Sequence, residues 1–251
     1  DIEKVVQDFI GEEYEVEVFV SKQSPEIARG VDTGGAGDQG IMVGYATSET
    51  PTYMPLGYEL ARNLCRGIYK AYPYDGKVQL TLDGDKVLVV VTSFQNSKSK
   101  DLEKLVRNLI RADKYLINPA GEWFMGGFEA DSGLSGRKIV IDNYGPTVPV
   151  GGGSFSGKDP TKVDRSAAYM ARYVAVDLLR RRKAKEVLVQ FAYAIGVAEP
   201  VMAVLTIDDV KEEVKGYDLT PEGIMLTLNL RRPIYEETAM AGHFGNGWSW
   251  G

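Results

Sequence analysis

The chain has 251 residues, 44% hydrophobic and 25% charged, with a net charge of −6, one cysteine and one histidine. Cys65 alone excludes an internal disulfide framework and fits a reducing compartment, and the acidic balance gives no global electrostatic case for nucleic acid. A lone histidine, His243, argues against a histidine-built metal site or a triad with an internal base; no apolar run has transmembrane length and residues 1–9 lack a leader's basic and apolar regions, so a cytoplasmic protein is expected.

Residues 1–10 place Ile2, Val5, Val6, Phe9 and Ile10 on one helical face. Tyr14, Val16, Val18 and Val20 then alternate with glutamates, which predicts a half-exposed strand. Residues 21–40 read as a polar, Gly-rich connection ending at a strand over 41–45. Asp38 lies at the mouth of that turn, where it holds a divalent cation or a sugar hydroxyl, or else shapes the loop as an Asx-turn. Leu56, Leu60, Leu64 and Ile68 recur at four-residue spacing and predict a helix over 55–69; the apolar setting makes Cys65 a core residue. Asp75 and Lys77 precede a hairpin whose strands, 78–82 and 86–94, flank Asp83, Gly84 and Asp85. A helix follows at about 98–111, with Leu102, Leu105, Val106 and Leu109 buried.

The stretch 118–141 brings Trp123 and Phe124, then Asp131, then Arg137 and Lys138 at the foot of a strand expected at 139–141. Two readings fit it: an aromatic for a nucleobase beside cations for phosphate, or a core tryptophan beside a solvated strand end. Chemistry concentrates in GGGSFSGKDPTKVDRSAAYMARYVAVDLL, residues 151–179. Its glycines let backbone amides approach an anion, Lys158 and Lys162 add charge, and Asp164 is placed to cap a buried helix. The spacing is not that of a P-loop. Arg180, Arg181, Arg182 and Lys183 crowd the helix's C-terminal end, where the dipole favours cations. Strands follow at 186–195 and 201–207, then a helix from the Thr220 cap and Pro221 to about 230. Sheet, hairpin and helix recur near 14–69, 78–111 and 139–230, an α+β pattern divided at 1–70, 71–138 and 139–251 with interleaved modules.

GAGDQG (35–40), GGGSFSGKDPTKVDRSAAYMARYVA (151–175) and YAIGVAEP (193–200) together resemble the S-adenosylmethionine synthetase family, and SKQSPEIARGV, INPAGEWFMGG, DSGLSGRKIV and PIYEETAMAGHFG follow in the expected order. The resemblance implies repeated α+β domains about a pseudo-threefold axis, with the N-terminal part incomplete. It implies transfer of the adenosyl group of ATP to the sulfur of L-methionine, then hydrolysis of tripolyphosphate. Two Mg²⁺ per site, activation by K⁺, and a homodimer or dimer of dimers with sites between subunits come with it; nucleic acid and membrane do not. Gln23 and Asp38 resemble methionine-pocket residues, and Asp131 a carboxylate of the ribose and methionine region. Asp75 supports nucleotide and Lys77 binds phosphate; Trp123 takes the place of an aromatic near adenine. Arg137 and Lys138 are similar to cations that clamp polyphosphate, Lys158 and Lys162 to further phosphate-site lysines, Lys162 also reaching methionine, and Asp164 to a Mg²⁺ ligand. The family's HPDK motif is absent, Pro149 and Val150 stand where Arg-His is usual, and Glu122 where Arg is common. A noncatalytic regulatory subunit and a tripolyphosphate or ATP hydrolase are the alternatives.

Overall fold

The computed structural model describes residues 1–251 save the side chain of Ile27. In chain order the elements are α1 (Ile2–Ile10), α2 (Pro25–Asp32), β1 (Gly40–Thr47), α3 (Leu56–Tyr69), β2 (Gly76–Asp83), β3 (Lys86–Phe94), α4 (Ser99–Leu109) and β4 (Lys114–Ile117). There follow α5 (Ile139–Asp142), α6 (Val163–Arg182), β5 (Glu186–Tyr193), β6 (Met202–Ile207), β7 (Val210–Glu213), α7 (Pro221–Thr227) and α8 (Tyr235–Ala241). The architecture is α+β, as its alternating strands and helices implied.

Two sheets organise it. The first runs β1-β5-β6-β7, antiparallel throughout, so residues far apart in sequence share one layer. Alternate residues Val187, Val189 and Phe191 turn one face of β5 into the core, where they meet Val43, Ala167, Ala171 and Val174. Helix α6 packs along β1 and β5 and is apolar around most of its circumference, which is why nearly all of it is buried. The second sheet, β2-β3-β4, pairs the expected hairpin antiparallel and adds β4 parallel to β3 through α4. Leu64 and Ile68 of α3 and Leu102 and Val106 of α4 close its core, and Cys65 is half-buried against it, its thiol pushed up by burial. Arg62 of α3 fastens this unit to the tail by donating to the carbonyls of Phe244 at 2.8 Å and Gly245 at 3.0 Å.

Several expectations fail, among them the burial of Leu109, which is 46% exposed. Residues 14–20 form no strand: no neighbouring strand supplies a ladder, and Phe19 and Val20 are 88% and 74% exposed. The connection 21–40 contains helix α2, because Pro25 presets the first helical turn and PEIARGVD can continue it. The run 139–141 is a helical turn, not a strand; Asn143 stops it by donating from Nδ2 to the Ile139 carbonyl at 2.7 Å. Such short apolar runs carry no period that separates the two. Thr220 caps α7, accepting from the Gly223 N–H at 3.1 Å, but the helix ends at Thr227, just before Asn229 takes a left-handed φ of 51°. Strands β4 and β7 and helix α8 were not foreseen.

Candidate active site

The three Gly-rich segments meet at one end of the first sheet. The Ala36 N–H donates to the Val197 carbonyl at 3.0 Å and the Gly196 N–H returns a bond to the Ala36 carbonyl at 2.8 Å, locking GAGDQG to the β5–β6 turn. The loop 151–162 closes over both. Gly153 is required there, since a Cβ would lie 2.6 Å from Asp164 Oδ1. Any side chain at Gly153 would therefore displace the carboxylate that the site is built on.

Lys158 Nζ donates to Asp164 Oδ2 at 2.6 Å, and the Asp164 side chain is only 9% exposed. Asp164 does not cap α6: Lys162 is the N-cap, without a side-chain bond, and Asp164 sits in the first turn, committed to Lys158. Asp38 lies within hydrogen-bonding reach of Asp164 and accepts from the Gln39 N–H at 2.8 Å. The Asp164 carboxyl is raised above the usual range, mainly by burial and further by Asp38, with Lys158 opposing. Two adjacent carboxylates under a Gly-rich loop are unfavourable by themselves and favourable around a cation. Hard oxygen donors in this number suit Mg²⁺, which takes one or two carboxylates and completes its shell with water and substrate phosphate. Lys162 Nζ donates to Gln23 Oε1 at 2.9 Å, so the segment after α1 crosses the loop. Gln23, Asp38, Lys158, Lys162 and Asp164 thus form one cluster.

A second group lies at the end of the other sheet. Asp75 Oδ2 accepts from the Gly127 N–H at 2.8 Å, and Gln95 Nε2 donates to the Phe124 carbonyl at 3.0 Å. Lys77 is paired across the hairpin with Ser93, so both side chains stand on one face. The half-buried Trp123 donates from Nε1 to Ser93 Oγ at 3.0 Å, which places its indole beside Lys77 and outside both apolar cores. Asp131, Arg137 and Lys138 are exposed on the segment that leads back to the first group. Ser135 Oγ donates to the Ser156 carbonyl at 2.6 Å and ties that segment to the loop. Among the described residues no hydrogen bond or ion pair joins Asp75 or Lys77 to Lys158, Lys162 or Asp164.

Residues behind the loop escaped the sequence reading. Arg165, 3% exposed, donates from its two terminal nitrogens to the Lys158 carbonyl and Thr238 Oγ1, both at 2.9 Å. Its Nε bonds the Tyr169 hydroxyl at 3.0 Å, and that hydroxyl lies 2.7 Å from His243 Nδ1. The four-residue spacing of Arg165 and Tyr169 on α6 was the one signal available.

Burial, reinforced by Arg165, pushes His243 down from 6.5 to about 4. An unfolded chain binds this proton below 6.5, the folded one only below about 4. Stability present above the unfolded value is therefore lost as pH falls through that window, by about 3 kcal/mol. Asp164 acts in the opposite sense, its raised value favouring the fold at low pH and losing that contribution as pH rises. Urea unfolding at several pH values, with and without His243→Gln, isolates the histidine: the variant's stability should fall less steeply below 6.5. Parallel curves for the two proteins would count against this assignment.

Family models for the S-adenosylmethionine synthetase central domain match residues 33–123, and for its C-terminal domain residues 125–251. The chain is 45% identical over 280 residues to S-adenosylmethionine synthase of Desulforudis audaxviator, covering 91% of this chain and 70% of that protein. It is 43% identical over 289 residues to the Petrotoga mobilis S-adenosylmethionine synthase, covering 94% and 72%. Among solved structures, an unusual S-adenosylmethionine synthetase from Campylobacter jejuni superposes with a TM-score of 0.80 at 32% identity, over 95% of this chain and 72% of that one. No helix among the described residues is long and apolar enough to cross a membrane. Two adjoining domain models covering most of the chain, supported by this shared fold, place the chain in the S-adenosylmethionine synthetase family.

Proposed function

We propose that the chain transfers the adenosyl group of ATP to the sulfur of L-methionine by in-line displacement and then hydrolyses the tripolyphosphate released. The observation that carries this reading is the cluster of Asp38, Asp164 and Lys158 under the Gly-rich loop. Sulfur is already nucleophilic, so the reaction needs placement and a stabilised polyanionic leaving group more than a general base. Lys158 and Lys162 meet the leaving phosphates, with Arg137 and Lys138 supplying further charge from the linked segment. Gln23, Asp38, Asp131 and Lys162 orient methionine; Asp75, Lys77 and Trp123 hold the nucleotide. Bound Mg²⁺, with Asp164 and Asp38 as its protein ligands, would neutralise charge on the phosphates. Activation by K⁺ belongs to the same proposal.

The two residue groups sit on separate sheets without a polar contact between them, and this supports a homodimer, alone or as a dimer of dimers, in which each site draws on both copies. The test is direct. The 251-residue protein is incubated with ATP, L-methionine, Mg²⁺ and K⁺ while S-adenosylmethionine is followed by mass. Methionine-dependent product that vanishes on removal of Mg²⁺ is expected. Phosphate release without sulfonium product would make the chain a hydrolase, and nucleotide binding without turnover a regulatory subunit.

A further inference from the structure

Arg165 is buried and, among the described residues, has no carboxylate partner. Its charge is instead met by hydroxyls, by the Lys158 carbonyl, and by the ring of Tyr235, 4.5 Å from the guanidinium carbon. A guanidinium can only donate, and this fixes the direction of its own three bonds. The Tyr169 oxygen accepts from Arg165 Nε at 3.0 Å, and His243 Nδ1, 2.7 Å away, is the short contact open to its own hydrogen when that nitrogen is unprotonated. A ring nitrogen that accepts carries no proton, which leaves the histidine proton on Nε2. That nitrogen faces Ser156 Oγ at 3.4 Å and, in this tautomer, donates to it. Ser156 is thereby an acceptor from behind, and its hydroxyl hydrogen is left to point elsewhere. Two residues on stands Lys158, its backbone carbonyl held by the same Arg165.

We propose that Arg165, Tyr169 and His243 are positioning residues that act as a one-way hydrogen-bond chain. The chain presents the Ser156 hydroxyl, together with the Lys158 ammonium, as donors to a phosphate oxygen in the loop. The proposal rests on the reading of this loop as a polyphosphate site and adds to it a binding residue, Ser156, and its supports. Burial keeps the imidazole neutral, as the chain of bonds requires. Helix α8 takes part through Thr238, which receives the remaining Arg165 bond, so the C-terminal segment holds both ends of Ser156–Gly157–Lys158.

Two experiments test it. His243 is the only histidine, so protein labelled with ¹⁵N-histidine gives one pair of ring nitrogens. The proton is expected on Nε2 at neutral pH, independently of any activity; a proton on Nδ1 overturns the chain of bonds. The second is calorimetric binding of inorganic tripolyphosphate with Mg²⁺ to the whole protein, to Ser156→Ala, to Arg165→Lys and to the double variant. Ser156→Ala should weaken binding by about 10-fold, the loss expected for one hydrogen bond to a charged group. Arg165→Lys keeps the charge and three donors, but a single shorter-reaching nitrogen cannot span the three acceptors held by the separate guanidinium nitrogens, and it should also weaken binding, with the double variant losing less than the product of the two. Wild-type affinity in folded Ser156→Ala, or independent effects in the double variant, overturns the inference. A wild-type protein that binds no tripolyphosphate overturns the phosphate reading itself, and the histidine spectrum then still decides the bond directions. Should Arg165→Lys fail to fold, Ser156→Ala and the spectrum suffice.

Discussion

Lys158→Ala is expected to cut adenosyl transfer by about 10²–10³-fold, the range seen when one preorganised donor to developing charge is removed. Lys158 is the cation nearest the buried carboxylate, 2.6 Å from Asp164, and its backbone carbonyl is fixed by Arg165, so no neighbouring side chain can take its place without moving the loop. Mg²⁺ binding should persist, because Asp38 and Asp164 both remain and lose a competing ammonium. The two effects separate the lysine's role from a general loss of structure. Turnover followed by mass and Mg²⁺ binding followed by calorimetry check them together, with circular dichroism as the control for folding. Undiminished turnover would remove Lys158 from the chemistry, whereas loss of both turnover and Mg²⁺ binding would assign the lysine a structural role only.

Gly44→Ala should cost about 3 kcal/mol of stability or more, at or beyond the upper end of what overpacking usually costs. Gly44 is the point where β1 touches α6: a Cβ would lie 2.0 Å from the Ala171 carbonyl carbon and 2.4 Å from the Arg172 nitrogen. These are backbone atoms of a buried helix and cannot swing aside. Relief requires α6 to lift from the sheet, and the same helix has Lys162 as its N-cap and Asp164 in its first turn, so the site opens as the core does. Urea midpoints of the two proteins give the stability difference. A loss below about 1 kcal/mol would show that the helix yields more easily than a close-packed interior allows. A domain with 5–15 kcal/mol in total would feel the expected change strongly.

The helices α1, α3 and α4 and the β2–β3 hairpin were legible because apolar residues recur at each element's own period, and α6 because it is apolar around most of its circumference, although the apolar face of α1 is left unburied. Residues 14–20 had the right alternation and still form no strand, since alternation specifies a face and not a partner for the backbone. Residues 139–141 were too short for a period to speak, and α8 shows seven residues whose only strong anchor is Thr238, fully buried against Arg165. The site divides in the same way. Lys158, Lys162 and Asp164 lie within one loop and the first turn of one helix, so local order brought them to notice together. Asp38 and Gln23 were proposed for the same pocket from the resemblance, but that Lys162 bonds Gln23 and that Asp38 faces Asp164 are facts of tertiary contact.

The sequence by itself determined helices α1, α3, α4 and α6, the hairpin and the Gly-rich loops, because these depend on composition and spacing within short windows, and its ordered motifs carried the family resemblance. Only the tertiary structure decided that β1 joins β5 and that His243 lies behind Ser156, 87 residues earlier in the chain. Those pairings are chosen by which buried faces fit and which buried donors find acceptors, and no local pattern records that competition.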